Sequence, residues 1–341
     1  MKQAYMPRAE VIEYREVPKP TPKGKEVLLK VSKIGICGSD LHVFEDKHPL
    51  VSFPLVQGHE FSGYVVEAGE DVTKVAVGDL TVVQPAIGCG HCERCDEGVF
   101  AQCDDLQFIG GALHGGGSEY FLVHEDHVIK LEKGVSPEDA AMIEPLAVAV
   151  HTVNKVSCIK GKNLLVIGAG TIGNLTAQVA DLMGAAHVIV LDIDPNRIEI
   201  AKKTDLLVFD SSEPGEIPKI IHDITGKSQV DASFECVGGE VPLNTCVQYT
   251  RRGGHVIVPG VYSQDPRVRM IRVQDAELHM CGSLMYTWED YHRAAAFTAS
   301  REIDLAALRT HTVGFDEWIQ GYRFLQDKTS GALKVMVDLD Q

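Results

Sequence analysis

The chain is predicted to be an α/β protein in which a doubly wound parallel sheet is joined to a β-rich domain. Three observations predict this. An apolar run, Leu164-Leu165-Val166-Ile167, passes without a gap into Gly168-Ala169-Gly170-Thr171-Ile172-Gly173. A helical apolar period follows (Ile172, Leu175, Val179, Leu182), with Gly184 placed to end it, and a second run, Val188-Ile189-Val190-Leu191, closes on Asp192. Residues 1–36, by contrast, alternate short β-like runs with turns at Pro18, Pro20 and Pro22. The expected boundaries are 149–288 for the doubly wound domain, with 1–148 and 289–341 forming the other.

Each part of the glycine stretch has a physical task. Gly168 permits a tight strand-to-helix turn, and Gly170 lets the backbone approach a pyrophosphate seated on the helix N-terminus with Ile172 in its first turn. Gly173 allows close packing of helix on sheet, and Asp192, nineteen residues on, can hydrogen-bond a ribose diol. Strand, glycines, helix, strand and acid in register predict a dinucleotide site of the Rossmann type. Asp194-Pro195 then starts a second helix, and Val230 to Cys236 alternates as a strand ending at Val237-Gly238-Gly239. Val256 to Val261 reads as another strand meeting a glycine turn, and ligands of doubly wound sheets bind at such strand ends. A helix over Trp288 to Ser300 and a closing strand over Leu333 to Val337 are expected to fold back onto the first domain.

Before the sheet lie the metal-binding candidates. Cys37-Gly38-Ser39-Asp40-Leu41-His42 and Gly58-His59-Glu60 bring thiol, imidazole and carboxylate into one short segment. Soft sulfur with imidazole and carboxylate suits Zn²⁺, and three protein ligands leave a position open for chemistry. Glu144, an acid in an apolar stretch, is a candidate fourth or exchanging ligand, or else a helix N-terminal acid beside Pro145. Cys89, Cys92, Cys95 and Cys103 fall in a Gly-containing loop without a helical period, a spacing that suits a closed, structural zinc site. An iron–sulfur centre is the competing reading, but nothing else indicates one-electron chemistry. His91 lies inside this loop and reads as a bystander.

Bulk properties exclude several classes. With 341 residues there is room for two cores, and the longest apolar runs are strand-sized, so no membrane span is expected. A formal net charge of −16 disfavours nucleic acid and anionic membranes as partners. Nine cysteines, an odd number without a visible export signal, point to the cytoplasm and to metal or thiol roles rather than a disulfide framework.

Taken in order, Cys37-Gly38-Ser39-Asp40-x-His42, Gly58-His59-Glu60, the four-cysteine loop, Glu144-Pro145-Leu146 and the glycine fingerprint resemble a zinc-dependent medium-chain dehydrogenase, in the sorbitol (polyol) and L-threonine dehydrogenase branch. The resemblance covers essentially the whole chain and implies a GroES-like catalytic domain beside the Rossmann domain. It implies two zincs per subunit, the catalytic one on Cys37, His59 and either Glu60 or Glu144. Asp40 would orient the ligating histidine, Ser39 would take the substrate proton, and His42 would end the relay to solvent. Lys334 would sit on the cofactor pyrophosphate, with Asp192 on the adenosine ribose, Arg197 near the adenine and Val261 at the cofactor. NAD is favoured over NADP, since Asp192 would repel a 2′-phosphate and Ile193 offers no arginine. The implied reaction interconverts a secondary alcohol and a ketone, on a polyol or sugar acid or alternatively on threonine or a small diol. Phe44, His48, Phe53, Phe108 and His114 are candidate pocket residues. A homo-oligomer, dimer or tetramer, with a small-molecule substrate is expected. A non-catalytic binding protein on the same scaffold would show a broken catalytic set, and here each position is filled.

Overall fold

Glu26–Ile36 is the strand around which the first unit is built, and all of it is buried or half-buried except Lys30. The computed structural model describes residues 1–48 and 51–340. It divides into two units, Met1–Glu144 with Thr287–Arg301 and Leu308–Gln341, and Pro145–Tyr286 with Glu302–Ala307. In the first, a seven-stranded sheet runs in the order Arg309–Gly314, Lys334–Asp338, Glu26–Ile36, Glu60–Ala68, Leu80–Val83, Val128–Lys130, and Tyr120–His124 also pairs with Glu26–Ile36. The first two strands are parallel and the other pairings antiparallel. Val27, Leu29, Val31 and Ile34 pack with Phe61, Val65, Trp318 and Tyr322 into one core. The register matters for chemistry. It sets Gly35 opposite Glu60 and Ile36 opposite Val335, beside Lys334.

The second unit carries a six-stranded, wholly parallel sheet in the order Leu207–Asp210, His187–Asp192, Asn163–Ile167, Val230–Glu235, Thr250–Val258, His279–Gly282. Asn163–Ile167 is buried along its whole length, as expected of a parallel strand covered on both faces. Helix Thr171–Leu182 begins at Gly170 as its N-cap, and Asp194 caps helix Pro195–Lys203 by accepting from the amides of Asn196 and Arg197.

The structure departs from the expected layout at four points. The strand expected over Val256–Val261 runs over Thr250–Val258. Its start is anchored by the buried Thr250 hydroxyl, 2.7 Å from that of Ser233, while Arg251-Arg252-Gly253-Gly254 hides the β pattern in the sequence. Residues 302–307 belong to the second unit, because the Asp304 amide donates to Gln178 Oε1 at 2.8 Å. The division at the other end falls after Glu144, inside helix Ile143–Asn154. The four-cysteine loop, expected without helix, contains one turn, Glu93–Asp96, with Cys92 at its N-cap.

Candidate active site

Strand Glu26–Ile36 ends one residue before Cys37, which is the N-cap of helix Gly38–Phe44. The Asp40 carboxylate reaches back to accept from the Cys37 amide at 3.1 Å, closing the first turn. Gln57, buried, donates from Nε2 to the Asp40 carbonyl and accepts from the Tyr322 hydroxyl, so the turn is also held from the next segment. His59 and Glu60 follow at the start of strand Glu60–Ala68. Ligand atoms of Cys37, His59 and Glu60 all lie within 4.8 Å of one another.

These residues fit a zinc ion. His59 Nδ1 lies 3.3 Å from Asp40 Oδ1 yet is buried without a hydrogen-bond partner, and an acid on the Nδ1 side leaves the other ring nitrogen for a metal. Burial alone would push the His59 pKa down, but the Asp40 carboxylate and the Cys37 sulfur hold it well above the usual histidine value. The site thus attracts positive charge, which a cation would supply.

Glu60 has a second partner that sequence reasoning missed. Lys334 Nζ lies 2.8 and 2.6 Å from its two carboxylate oxygens and 3.2 Å from the Ile36 carbonyl. The three acceptors use the three donors of the ammonium. Burial alone would lower the Lys334 pKa, while Glu60 raises it above the ordinary lysine value. Lys334, expected at the cofactor pyrophosphate, here places its charge on the carboxylate of the donor set. Only glycine at position 35 leaves room for this arrangement, since a Cβ there would lie 2.2 Å from Glu60 Oε2. Glu144 is buried close by and helps raise the pKa of Lys334 and of Tyr291, whose hydroxyl donates to the Val83 carbonyl. Among the described residues it is not a member of the clustered donor set, which Glu60 completes.

Ser39 and His42, both half-buried, stand three residues apart on helix Gly38–Phe44 and so share a face. Of the expected pocket residues, Phe108 lies against His59 with ring centroids 5.0 Å apart. His48 and Phe53 are half-buried and His114 is exposed. Phe44 is corrected: it is fully buried, stacked at 4.3 Å on Tyr322, and serves the core.

A second donor set is formed by Cys89, Cys92, Cys95 and Cys103, whose sulfurs lie within 4.8 Å of one another. The Cys89 amide also points at Cys103 Sγ, at 3.3 Å. Cys89 is pulled down to about 7, chiefly by the backbone amide of His91, whereas Cys95 is pushed up to about 11 by the other thiols and burial, against a lowering bond from Gly90. Four sulfurs so close ionise together only around a cation, and the set fits a structural zinc.

In the second unit Gly168 has φ +101° and its amide donates to the Leu191 carbonyl at 2.7 Å. A Cβ at Gly173 would lie 1.8 Å from the Gly168 carbonyl oxygen, so helix and turn pack backbone on backbone. Gly170 differs: a Cβ there would meet nothing, so nothing in the chain itself requires glycine at that place. The open space lies at the N-terminus of helix Thr171–Leu182, where backbone amides favour an anion. Ile172 is half-buried in its first turn. Asp192 is buried, and its two oxygens accept from the amides of Ala169, Ile193 and Asp194 at 2.6, 2.7 and 2.9 Å. A carboxylate offers about four lone-pair sites, so one remains for a hydroxyl. Ile193, Arg197 and Val261 are exposed around these strand ends.

Comparison with known proteins agrees with this geometry. Residues 23–133 match the alcohol dehydrogenase GroES-like domain, and residues 171–300 match the zinc-binding dehydrogenase domain. Sorbitol dehydrogenase of Bacillus subtilis (strain 168) is 32% identical over 99% of this chain and 97% of its own length. L-idonate 5-dehydrogenase of Vitis vinifera is 31% identical over 92% of this chain and 88% of its own. A Sinorhizobium meliloti 1021 protein described as a zinc-binding dehydrogenase, in a crystal structure bound to NADP, superimposes with a TM-score of 0.90 at 29% identity, covering 99% of each chain. The chain belongs to the zinc-dependent medium-chain alcohol dehydrogenases, in their sorbitol dehydrogenase branch.

Proposed function

We propose that this chain interconverts a secondary alcohol and a ketone on a polyol or sugar acid, with NAD and a catalytic zinc. The observation that carries the reading is the Cys37, His59 and Glu60 donor set, joined to Asp40 and followed on one helix face by Ser39 and His42. The sorbitol and idonate relatives support the substrate class. Zinc, when bound, supplies the Lewis acidity that acidifies the substrate hydroxyl, and the nicotinamide takes the hydride.

The chain's own residues do the rest. Cys37, His59 and Glu60 hold the metal, with Glu144 in reserve. Asp40 fixes the ring of His59, so its tautomer and orientation are set before substrate arrives. Ser39 accepts the substrate proton, and His42, half-buried on the same face, passes it towards solvent. Cys89, Cys92, Cys95 and Cys103 hold the second, structural zinc, giving two per subunit. Gly168, Gly170, Ile172 and Gly173 seat the pyrophosphate, Asp192 takes the adenosine ribose, and Arg197 and Val261 flank the bound dinucleotide. NAD is preferred because Asp192 would repel a 2′-phosphate and the neighbouring Ile193 is apolar and exposed.

The protein is proposed to act as a homo-oligomer, dimer or tetramer, in the cytoplasm. The cysteines are unpaired, which suits a reducing compartment, and among the described residues no helix is long and apolar enough to cross a membrane. The test is NAD⁺ reduction against polyols, aldonates, threonine and small diols, with zinc content measured on the same sample. Two zincs per chain with turnover on a polyol or aldonate support the reading. Turnover on threonine or a small diol alone would transfer the mechanism to that substrate, and turnover with NADP⁺ but not NAD⁺ would overturn the cofactor assignment.

A further inference from the structure

The acid at Asp192 has a counterpart two strands away. The sheet order sets Asn163–Ile167, with its glycine turn, between His187–Asp192 and Val230–Glu235, and Thr250–Val258 comes next. Each flanking strand therefore ends on a carboxylate, Asp192 on one side and Glu235 on the other.

Glu235 is fully buried and makes a dense set of bonds. Its Oε1 accepts from the amides of Val237 and Gly238, each at 2.9 Å. Its Oε2 accepts from the Gly238 amide at 3.2 Å and from the Tyr262 hydroxyl at 2.7 Å. Its carbonyl accepts from the Gly260 amide at 3.0 Å. One residue thus ties the turn after its own strand, 236–239, to the turn after the next strand, 259–262. The turns also touch backbone to backbone: a Cβ at Gly238, where φ is +83°, would lie 2.1 Å from the Val261 carbonyl oxygen.

A carboxylate buried among dipoles is a costly way to hold two loops that apolar residues could pack, which points to a need for a fixed geometry. Its charge is felt nearby, since burial and Glu235 together raise the Tyr262 phenol and the Cys246 thiol far above their ordinary values. A bound dinucleotide would need that fixed geometry. If the pyrophosphate sits on the glycine turn and the adenosine ribose on Asp192, the second nucleoside must run the other way, over the ends of Val230–Glu235 and Thr250–Val258. There Val237 and Val261 expose apolar side chains, 49% and 58% accessible, on which a planar ring can lie.

We propose that Glu235 is a positioning residue for the nicotinamide half of the cofactor, its carboxylate pre-setting the 236–239 and 259–262 turns through Val237, Gly238 and Tyr262. The proposal rests on the dinucleotide reading of this sheet and goes beyond it in assigning a residue outside the glycine fingerprint, on the strand beside it. Without the tie, the cost of ordering both turns moves to the binding step and weakens the nicotinamide end alone.

The experiment measures affinities for NADH and for AMP, which carries only the adenosine half, together with melting temperature, in wild type, Glu235→Gln and Tyr262→Phe. NADH affinity should fall about tenfold or more in Glu235→Gln and about threefold in Tyr262→Phe, in keeping with loss of charge-assisted and single hydrogen bonds. AMP affinity should stay within about twofold in both, because the adenosine half lies on the other side of the glycine turn. Equal weakening of NADH and AMP with a parallel fall in melting temperature would overturn the proposal, making Glu235 a structural residue only. Should Glu235→Gln fail to fold, unchanged NADH affinity in Tyr262→Phe would overturn it just as well. A wild-type protein that binds neither ligand would remove the dinucleotide reading itself, and the proposal with it.

Discussion

Glu60 and Lys334, separated by 274 residues, form a buried ion pair in which Nζ lies 2.8 and 2.6 Å from the two carboxylate oxygens. The pair ties the start of strand Glu60–Ala68 to the start of strand Lys334–Asp338, with Glu26–Ile36 between them. It also gives a carboxylate of the candidate donor set a counter-charge. The donor set of Cys37, His59 and Glu60 therefore does not depend on a metal alone to hold its negative charge in the interior.

Lys334→Met is expected to destabilise the protein, since it strands a buried carboxylate; breaking such a pair costs about 3–5 kcal/mol. The loss should be larger after zinc is removed with a chelator than before, because bound zinc would partly replace the missing cation. Thermal melts of the variant and wild type, with and without chelator, check this. A destabilisation unaffected by chelation would show that Glu60 does not share its charge with a metal.

His59 should make the metal-free protein depend on pH in a defined sense. Its folded pKa is raised above the ordinary value near 6.5, against burial, by Asp40 and Cys37. The stability it contributes is fully present below the unfolded value and is lost as pH rises through the raised folded value. The melting-temperature gap between metal-free wild type and His59→Gln should therefore be wider at acid pH than at alkaline pH. Zinc affinity should run oppositely, rising with pH, because the ligand is the neutral ring. A gap that widens as pH rises would contradict the Asp40 pairing.

Cys37→Ser and Cys95→Ser should separate the two metal sets. Cys37→Ser should lower turnover about 10³-fold, the equivalent of the several kcal/mol a Lewis acid supplies, while NADH affinity changes little, since the dinucleotide fingerprint belongs to the other unit. Cys95→Ser should first lower the melting temperature and the zinc content. Steady-state kinetics, metal analysis and melts on both variants decide this; a Cys95→Ser protein of normal stability and impaired turnover would reverse the assignment.

Much of the site was legible in the sequence because its chemistry is local. The glycine fingerprint, Asp192, Cys37 with Asp40, His59 with Glu60, and the four cysteines are each set by spacing within one turn or one strand end, where backbone geometry leaves few arrangements. Helix Trp288–Ser300 was likewise readable from its own period and cap. Thr250 to Gly254 was not, because Arg251-Arg252-Gly253-Gly254 lacks alternation and falls in an irregularity between Thr250 and His255, which pair with Val230 and Ala232.

The fold class, the glycine turn and most members of the two candidate donor sets could be read from the amino-acid order, with Glu60 and Glu144 left as alternatives. Packing in three dimensions was needed to pair Lys334 with Glu60, to put Phe44 in the core, to exclude a side chain at Gly35, and to tie two turns to Glu235 through Tyr262. The physical reason is one of range. Local motifs carry their own geometry in backbone torsions and hydrogen bonds, whereas a buried charge chooses its partner from whatever strand the sheet order places beside it.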